Sequence, residues 1–101
     1  MSTKNAGFAE GSPPFKLNLS GANIRRTDMS DTNLTGADLT GADCSYVNFR
    51  GANFRDTKLA RTKLIGADLS DAKNLTRAQI DEAILDITTK LPGYLLVETR
   101  S

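Results

Sequence analysis

Large apolar residues recur at every fifth position without a break: Leu19, Ile24, Met29, Leu34, Leu39, Cys44, Phe49, Phe54, Leu59, Leu64 and Leu69. A period of five fits neither the 3.6 of an α-helix nor the 2 of a flat strand, so the chain must turn within each repeat. Two places before each centre stands a second regular position, held by Leu17, Ala22, Thr27, Thr32, Ala37, Ala42, Val47, Ala52, Thr57, Thr62 and Ala67, nearly all small. If both positions point inward, the inward spacing alternates two and three. The step of two is strand alternation, and the step of three needs a corner. The chain then coils around its own core, as repeat architectures do.

The remaining positions agree with this winding. The residue before each centre is polar every time: Asn18, Asn23, Asp28, Asn33, Asp38, Asp43, Asn48, Asn53, Lys58, Lys63 and Asp68. These face water. All five glycines between positions 17 and 75 (Gly21, Gly36, Gly41, Gly51 and Gly66) fall two places after a centre, and Asp31, Asp56 and Asp71 share that register. Gly, Asp and Asn tolerate tight-turn backbone geometry, so this register marks the corners.

The segments GADLT, GADCS, GANFR and GADLS resemble the A(D/N)LXX motif of the pentapeptide-repeat family over residues 17–72. The resemblance implies an all-β solenoid: a right-handed quadrilateral, four-sided β-helix with four pentapeptides to a coil. Residues twenty apart then stack, giving inward columns Leu19/Leu39/Leu59, Ile24/Cys44/Leu64, Met29/Phe49/Leu69 and Leu34/Phe54, in about three coils. Such a short stack leaves backbone groups without partners at both ends and needs caps.

After Leu69 the rhythm breaks, because the next large residue is Leu75. Thr76 and Gln79 make a T-x-x-Q capping box before helix-forming residues, which predicts a short capping helix from Arg77 to Leu85 over the last coil. The alternative is a repeat continued with a one-residue slip through Ala78, Ile80, Ala83 and Leu85. TKLPGYLL is similar to the tail that follows the repeats in short family members. The expected organisation is a flexible tail over 1–14, the β-helix over 15–75 with Phe15 able to cover its first coil, and a C-terminal helix and tail over 76–101. Leu91, Tyr94, Leu95, Leu96 and Val97 are apolar enough to need a packing surface.

The 101 residues suit one small domain. With no His and a single Cys, the chain lacks the usual ligand set for structural zinc and the residues of a Ser/His/Asp or Cys/His centre. Cys44 falls on the core ladder, and the regular Asp and Asn are explained by the repeat, so no catalytic residue, cofactor or metal is expected. The stacked pairs Asp38/Lys58 and Asp43/Lys63 read as cross-strand charge pairs. No apolar run reaches membrane-spanning length, and the opening MSTKNAGFAEGSPP has no secretory pattern, so the expected compartment is the cytoplasm.

A candidate partner-binding face gathers Arg25, Arg26, Tyr46, Lys58, Arg61 and Lys63 on two adjoining sides. The resemblance favours a non-enzymatic scaffold for protein–protein interaction. A second reading is a binder of an anionic partner through that basic face. A third, suggested by family members that mimic duplex DNA and act on DNA gyrase, is disfavoured by short length and by eight Lys and Arg against seven Asp between Leu17 and Leu75. Nucleic acid is not the expected partner, because no aromatic series offers a stacking platform. A homodimer through a coil end or the Tyr94–Val97 segment is expected.

Overall fold

The computed structural model describes residues 16–96. The expected tail over 1–14, the cover from Phe15 and Val97 lie outside the described residues. Four columns of parallel β-bridges run through the molecule: Asn18–Asp38–Lys58, Asn23–Asp43–Lys63–Ile84, Asp28–Asn48–Asp68–Lys90 and Asn33–Asn53–Lys73. Up to Lys73 every bridge joins residues twenty apart, so the chain winds as a β-solenoid that climbs one strand spacing, about 4.8 Å, per twenty residues. Each side contributes a single bridged residue, because corners stand on both sides of every two-residue step.

All eleven corner positions have positive φ. Glycines fill five, and Arg26 (61°), Asp31 (56°), Tyr46 (61°), Asp56 (57°), Arg61 (55°) and Asp71 (60°) fill the others. Each corner closes through a hydrogen bond such as Ala37 N–H to Leu34 C=O (2.9 Å) or Ala52 N–H to Phe49 C=O (3.0 Å). A positive φ at the third residue of such a turn is what a type II turn demands.

The residue before each centre does more than face water. The Oδ1 of Asn18, Asn23, Asp28, Asn33, Asp38, Asp43, Asn48, Asn53 and Asp68 accepts the backbone N–H two residues on, at 2.9 to 3.1 Å. Asx geometry therefore enters each corner, and Lys58 and Lys63 are the departures from it.

Leu34, Leu39, Cys44, Phe49, Phe54, Leu59, Leu64 and Leu69 are fully buried, with the small residues Ala37, Ala42, Val47, Ala52 and Ala67 beside them. Phe49 and Phe54 meet edge to face, with centroids 5.2 Å apart. Where threonine replaces the small alanine, its hydroxyl is satisfied inside the wall: Thr57 donates to Leu34 C=O and Thr62 to Leu39 C=O, both at 2.7 Å. Leu19, Ile24 and Met29 are only half-buried, because no described rung covers them.

A helix, α1, spans Arg77–Glu82, shorter than the expected Arg77–Leu85. Its capping box is present, with Thr76 and Gln79 bonded reciprocally. Gln79 Nε2 also donates to Phe54 C=O (2.8 Å) and Thr57 C=O (2.9 Å), which ties α1 to the wall. The helix stops at Ala83, whose backbone is extended, and the chain rejoins the ladder with Ile84 twenty-one residues after Lys63. Helix and slipped repeat thus both occur: α1 takes one side of the turn, and the slip resumes on the next. Lys90 then pairs with Asp68 after twenty-two residues, so the intervening corner holds one more residue. A last helical turn, α2, spans Gly93–Leu96 and buries Leu95.

Candidate interaction surface

Tyr46 sits at the corner column shared by Arg26 and Gly66. Its ring lies flat against Gly66, where an added Cβ would collide with Cδ1 and Cε1. The Arg26 guanidinium carbon stands over the ring, 4.8 Å from its centroid, and that of Arg25 5.9 Å from it, both within cation–π range. Tyr46 nevertheless remains about half exposed. The repeat makes this stack: residues twenty apart superpose, and the missing side chain at Gly66 leaves room for the ring.

Arg25 also reaches the Asp43 carboxylate at 3.6 Å. Stacked charges and direct ion pairs are therefore distinct: after the side-chain hydrogen bonds at Asp38 and Asp43, Lys58 and Lys63 lower the pKa of these two carboxyls from the next rung without touching them. Asp38/Lys58 and Asp43/Lys63 are stacked through backbone bridges, but the ion pairs among the described residues are Arg25–Asp43, Arg50–Asp68 and Arg50–Asp71. An arginine two positions after an Asn reaches the carboxylate on the next turn, as Arg25 and Arg50 do at Asp43 and Asp68.

The six expected face residues are all exposed and divide into two groups. Arg25, Arg26 and Tyr46 are in mutual contact at one corner. Lys58, Arg61 and Lys63 lie at and beside the preceding corner, and none of the three forms an ion pair among the described residues. Asp43 stands between the groups and holds Arg25 rather than Lys63 in an ion pair.

Hydroxyl and N–H donors from Ser30 and Ser45 hold Asp28 and Asp43 below the usual carboxylate range, with Arg25 and Lys63 adding to the effect at Asp43. Burial pushes the Cys44 thiol up to about 12, helped by the neighbouring Asp43 charge, so it carries no thiolate at neutral pH. Among the described residues no group of three or more His, Cys, Asp or Glu could hold a metal ion, and no helix is long and apolar enough to cross a membrane. An open hollow beside α1, lined by Arg55, Asp56, Lys58, Gln79 and Glu82, mixes both charges around a polar amide.

Two anchors at the C-terminal end escaped the sequence reading. Tyr94 donates its hydroxyl to Ala72 C=O (2.6 Å) and accepts from Leu75 N–H (3.2 Å), while Arg77 Nη2 donates to Leu95 C=O (3.0 Å). A tyrosine two residues after Pro92 was the available signal, but only the fold brings it back over the last repeat.

The winding, the five-residue register and the left-handed corners define a class of protein. The family model for pentapeptide repeats matches in eight copies over residues 18–56 and 48–86, and the chain belongs to that family. Among solved structures it is similar to Rfr23, a pentapeptide repeat protein from the cyanobacterium Cyanothece 51142. That match has a TM-score of 0.66 and 26% identity, and covers 76% of this chain and 52% of Rfr23. It is similar in fold to trypsin-treated QnrB1, a plasmid-mediated fluoroquinolone resistance protein, with TM-score 0.64, 21% identity, and coverage of 78% of this chain and 36% of QnrB1. The chain thus spans about half the length of the first and about a third of the second. No curated protein matches the sequence.

Proposed function

We propose that this chain is a non-enzymatic scaffold whose outer surface binds another protein. The observation that carries the reading is the Arg25–Arg26–Tyr46 cluster. Arg26 and Tyr46 hold φ of 61° at corners where glycine would sit without strain. A non-glycine residue there costs roughly 1 kcal/mol, and strained positions collect where a surface has a task. Tyr and Arg are also the residues most enriched at the energetic centres of protein interfaces. In this reading the solenoid is right-handed with about three coils, α1 caps its C-terminal end, and the chain pairs with itself through a coil end or the Tyr94–Val97 segment.

The test is a purified partner recovered from native extract and titrated against the wild-type chain and an Arg25→Glu/Arg26→Glu variant. A partner that binds both equally places the interface elsewhere. A substrate turned over and abolished by one point mutation would overturn the scaffold reading.

A second reading rests on Lys58, Arg61 and Lys63, whose exposed charges form no ion pair among the described residues and suit an anionic partner. Duplex mimicry toward gyrase is disfavoured, since it needs an extended negative surface and this repeat carries eight basic residues against seven acidic. Inhibition of supercoiling in low salt at equimolar protein, weakened by Asp38→Asn and Asp43→Asn, would reverse that judgement.

A further inference from the structure

Each repeat has three outward positions: the residue before the centre, the residue after it, and the corner. Across the eleven repeats, large apolar side chains occupy an outward position at Tyr46 and Ile65 alone. The fold makes these two neighbours, because Tyr46 stacks on Gly66, the residue next to Ile65, and Tyr46 N–H donates to Ile65 C=O (2.8 Å).

The next turn continues the same edge. Ile84 follows Lys63 in its column and is exposed on the second side of the solenoid. Beyond Leu85 a turn closes from Thr89 N–H to Asp86 C=O, as the turn below closes from Ala67 N–H to Leu64 C=O, so Ile87 takes the place that Ile65 takes one rung earlier. Ile87 is 100% exposed. Its corner is the one lengthened by a residue, and it is locked in place. Asp86 Oδ1 accepts from Thr88 N–H (2.9 Å) and Thr88 Oγ1 (2.6 Å), while Thr89 Oγ1 donates to Leu64 C=O (2.8 Å). Thr89 N–H also closes the turn onto Asp86 C=O (3.1 Å). An apolar knob held by a closed turn is presented without the entropy loss that a loose loop suffers on binding.

We propose that the edge through Arg26, Tyr46, Ile65 and Ile87 is a docking ridge for a protein segment that carries apolar side chains beside carboxylates. The inference rests on the scaffold reading and names the partner's chemistry. Tyr46 and Ile87 are two strand spacings apart, about 10 Å, a distance that a short extended segment covers in three residues. Charge around the ridge selects the occupant. Arg26 and Lys63 form no ion pair among the described residues. The nearby acids are engaged: Asp43 by Arg25 and by Ser45, Asp86 by Thr88. Arg26 lies over the Tyr46 ring and forms no ion pair among the described residues, so a carboxylate on the partner meets it beside the apolar centre. A single tyrosine lying flat on a glycine is no stacking platform for bases, which argues for a polypeptide over a nucleic acid.

The test begins with a random peptide library displayed on phage and panned against the whole chain, followed by anisotropy titrations with a labelled selected peptide. Selected peptides pair aromatic or aliphatic residues with Asp or Glu. Ile87→Ser, at a fully exposed position, and Arg26→Glu each weaken binding by about tenfold or more, as removal of a central anchor does. Tyr46→Ala does the same, and added salt weakens the wild type but not Arg26→Glu. Binding that ignores these variants and is lost with Lys58→Glu/Arg61→Glu overturns the ridge while leaving the scaffold reading intact. Selection of no peptide, or of basic ones, overturns it too. A dimer in sedimentation that Ile87→Ser dissolves shows a second copy on the ridge, which also overturns the acidic segment. The scaffold reading itself falls on separate grounds, if native extract yields no partner for any face or if the chain turns over a substrate.

Discussion

The first turn of the solenoid, residues 17–36, and its last, residues 76–96, carry similar inward apolar spacing and end differently. In the first, Leu19, Ile24 and Met29 are half-buried and Leu17 is exposed. Among the described residues the N–H groups of Asn23, Asp28 and Asn33 have no acceptor. In the last, α1, Gln79, Tyr94 and α2 satisfy wall carbonyls and bury Leu75, Ile80 and Leu95. A pentapeptide repeat fixes which side chains turn inward, but their burial comes from the neighbouring rung. The same leucine contributes fully in the middle of the stack and partly at an end.

The largest effect that tests this contrast lies in the core. Phe49→Ala or Phe54→Ala costs about 3 to 5 kcal/mol, enough to unfold a domain of this size. Phe49→Leu, which keeps most of the volume, gives a measurable melt. Leu19→Ala in the first turn costs about 1 to 2 kcal/mol, because its side chain is half in water already. Denaturant unfolding of the variants checks the ratio, and equal costs at Leu19 and Phe54 would mean that the first turn is covered as well as the middle.

At the other end, Tyr94→Phe removes one hydroxyl that both donates to Ala72 and accepts from Leu75. It lowers stability by about 1 to 2 kcal/mol in the same melts. An effect below a few tenths would make α2 a passive lid. Among the corners, Arg61 has φ of 55° and no ion pair among the described residues, so Arg61→Gly relieves strain and raises stability by roughly 0.5 to 1 kcal/mol. Gly41→Val, one rung before it in the same column, lowers stability by a similar amount.

The smallest effect is a pH dependence. The carboxyls of Asp28 and Asp43 titrate below their ordinary value in the folded chain, because serine hydroxyls and N–H groups bond their charged forms. The stability they add is present above the unfolded carboxylate pKa, near about 4, and is lost as pH falls through the lower folded value. Melts from pH 7 to 5 therefore show no pH dependence from these groups, whose contribution is constant there, and a decline sets in below about pH 4. Asn23, Asn33, Asn48 and Asn53 make the same N–H bond without titrating. Asp28→Asn and Asp43→Asn consequently flatten the acid decline, and an unchanged decline would assign it to other carboxyls.

Much of the candidate surface was legible before the fold was known, and some was not. Arg26 and Tyr46 share the corner register by simple counting, so their stacking follows from twenty residues to a turn. Ile84 and Ile87 were hidden. Inside a segment that reads as either helix or slipped repeat, no local pattern says which residues return to the ladder. The stacking of Lys63 on Asp43 was legible by the same counting, whereas the direct ion pair of Asp43 with Arg25 was not, since side-chain reach rather than column decides which cation touches a carboxylate.

The five-residue period by itself determined that this chain winds, which residues line its core and where each corner falls. Those features are local, because a hydrogen-bonded turn and a two-residue step repeat regardless of what lies twenty residues away. Only the tertiary structure decided how the winding ends. Gln79 reaches Phe54 and Thr57 across more than twenty residues, and Tyr94 reaches Ala72. Ile84 rejoins the wall because Thr62 C=O and Leu64 N–H lay unpaired at the edge of the preceding turn. An open backbone edge must be met by something, and which segment meets it depends on the three-dimensional path of the chain.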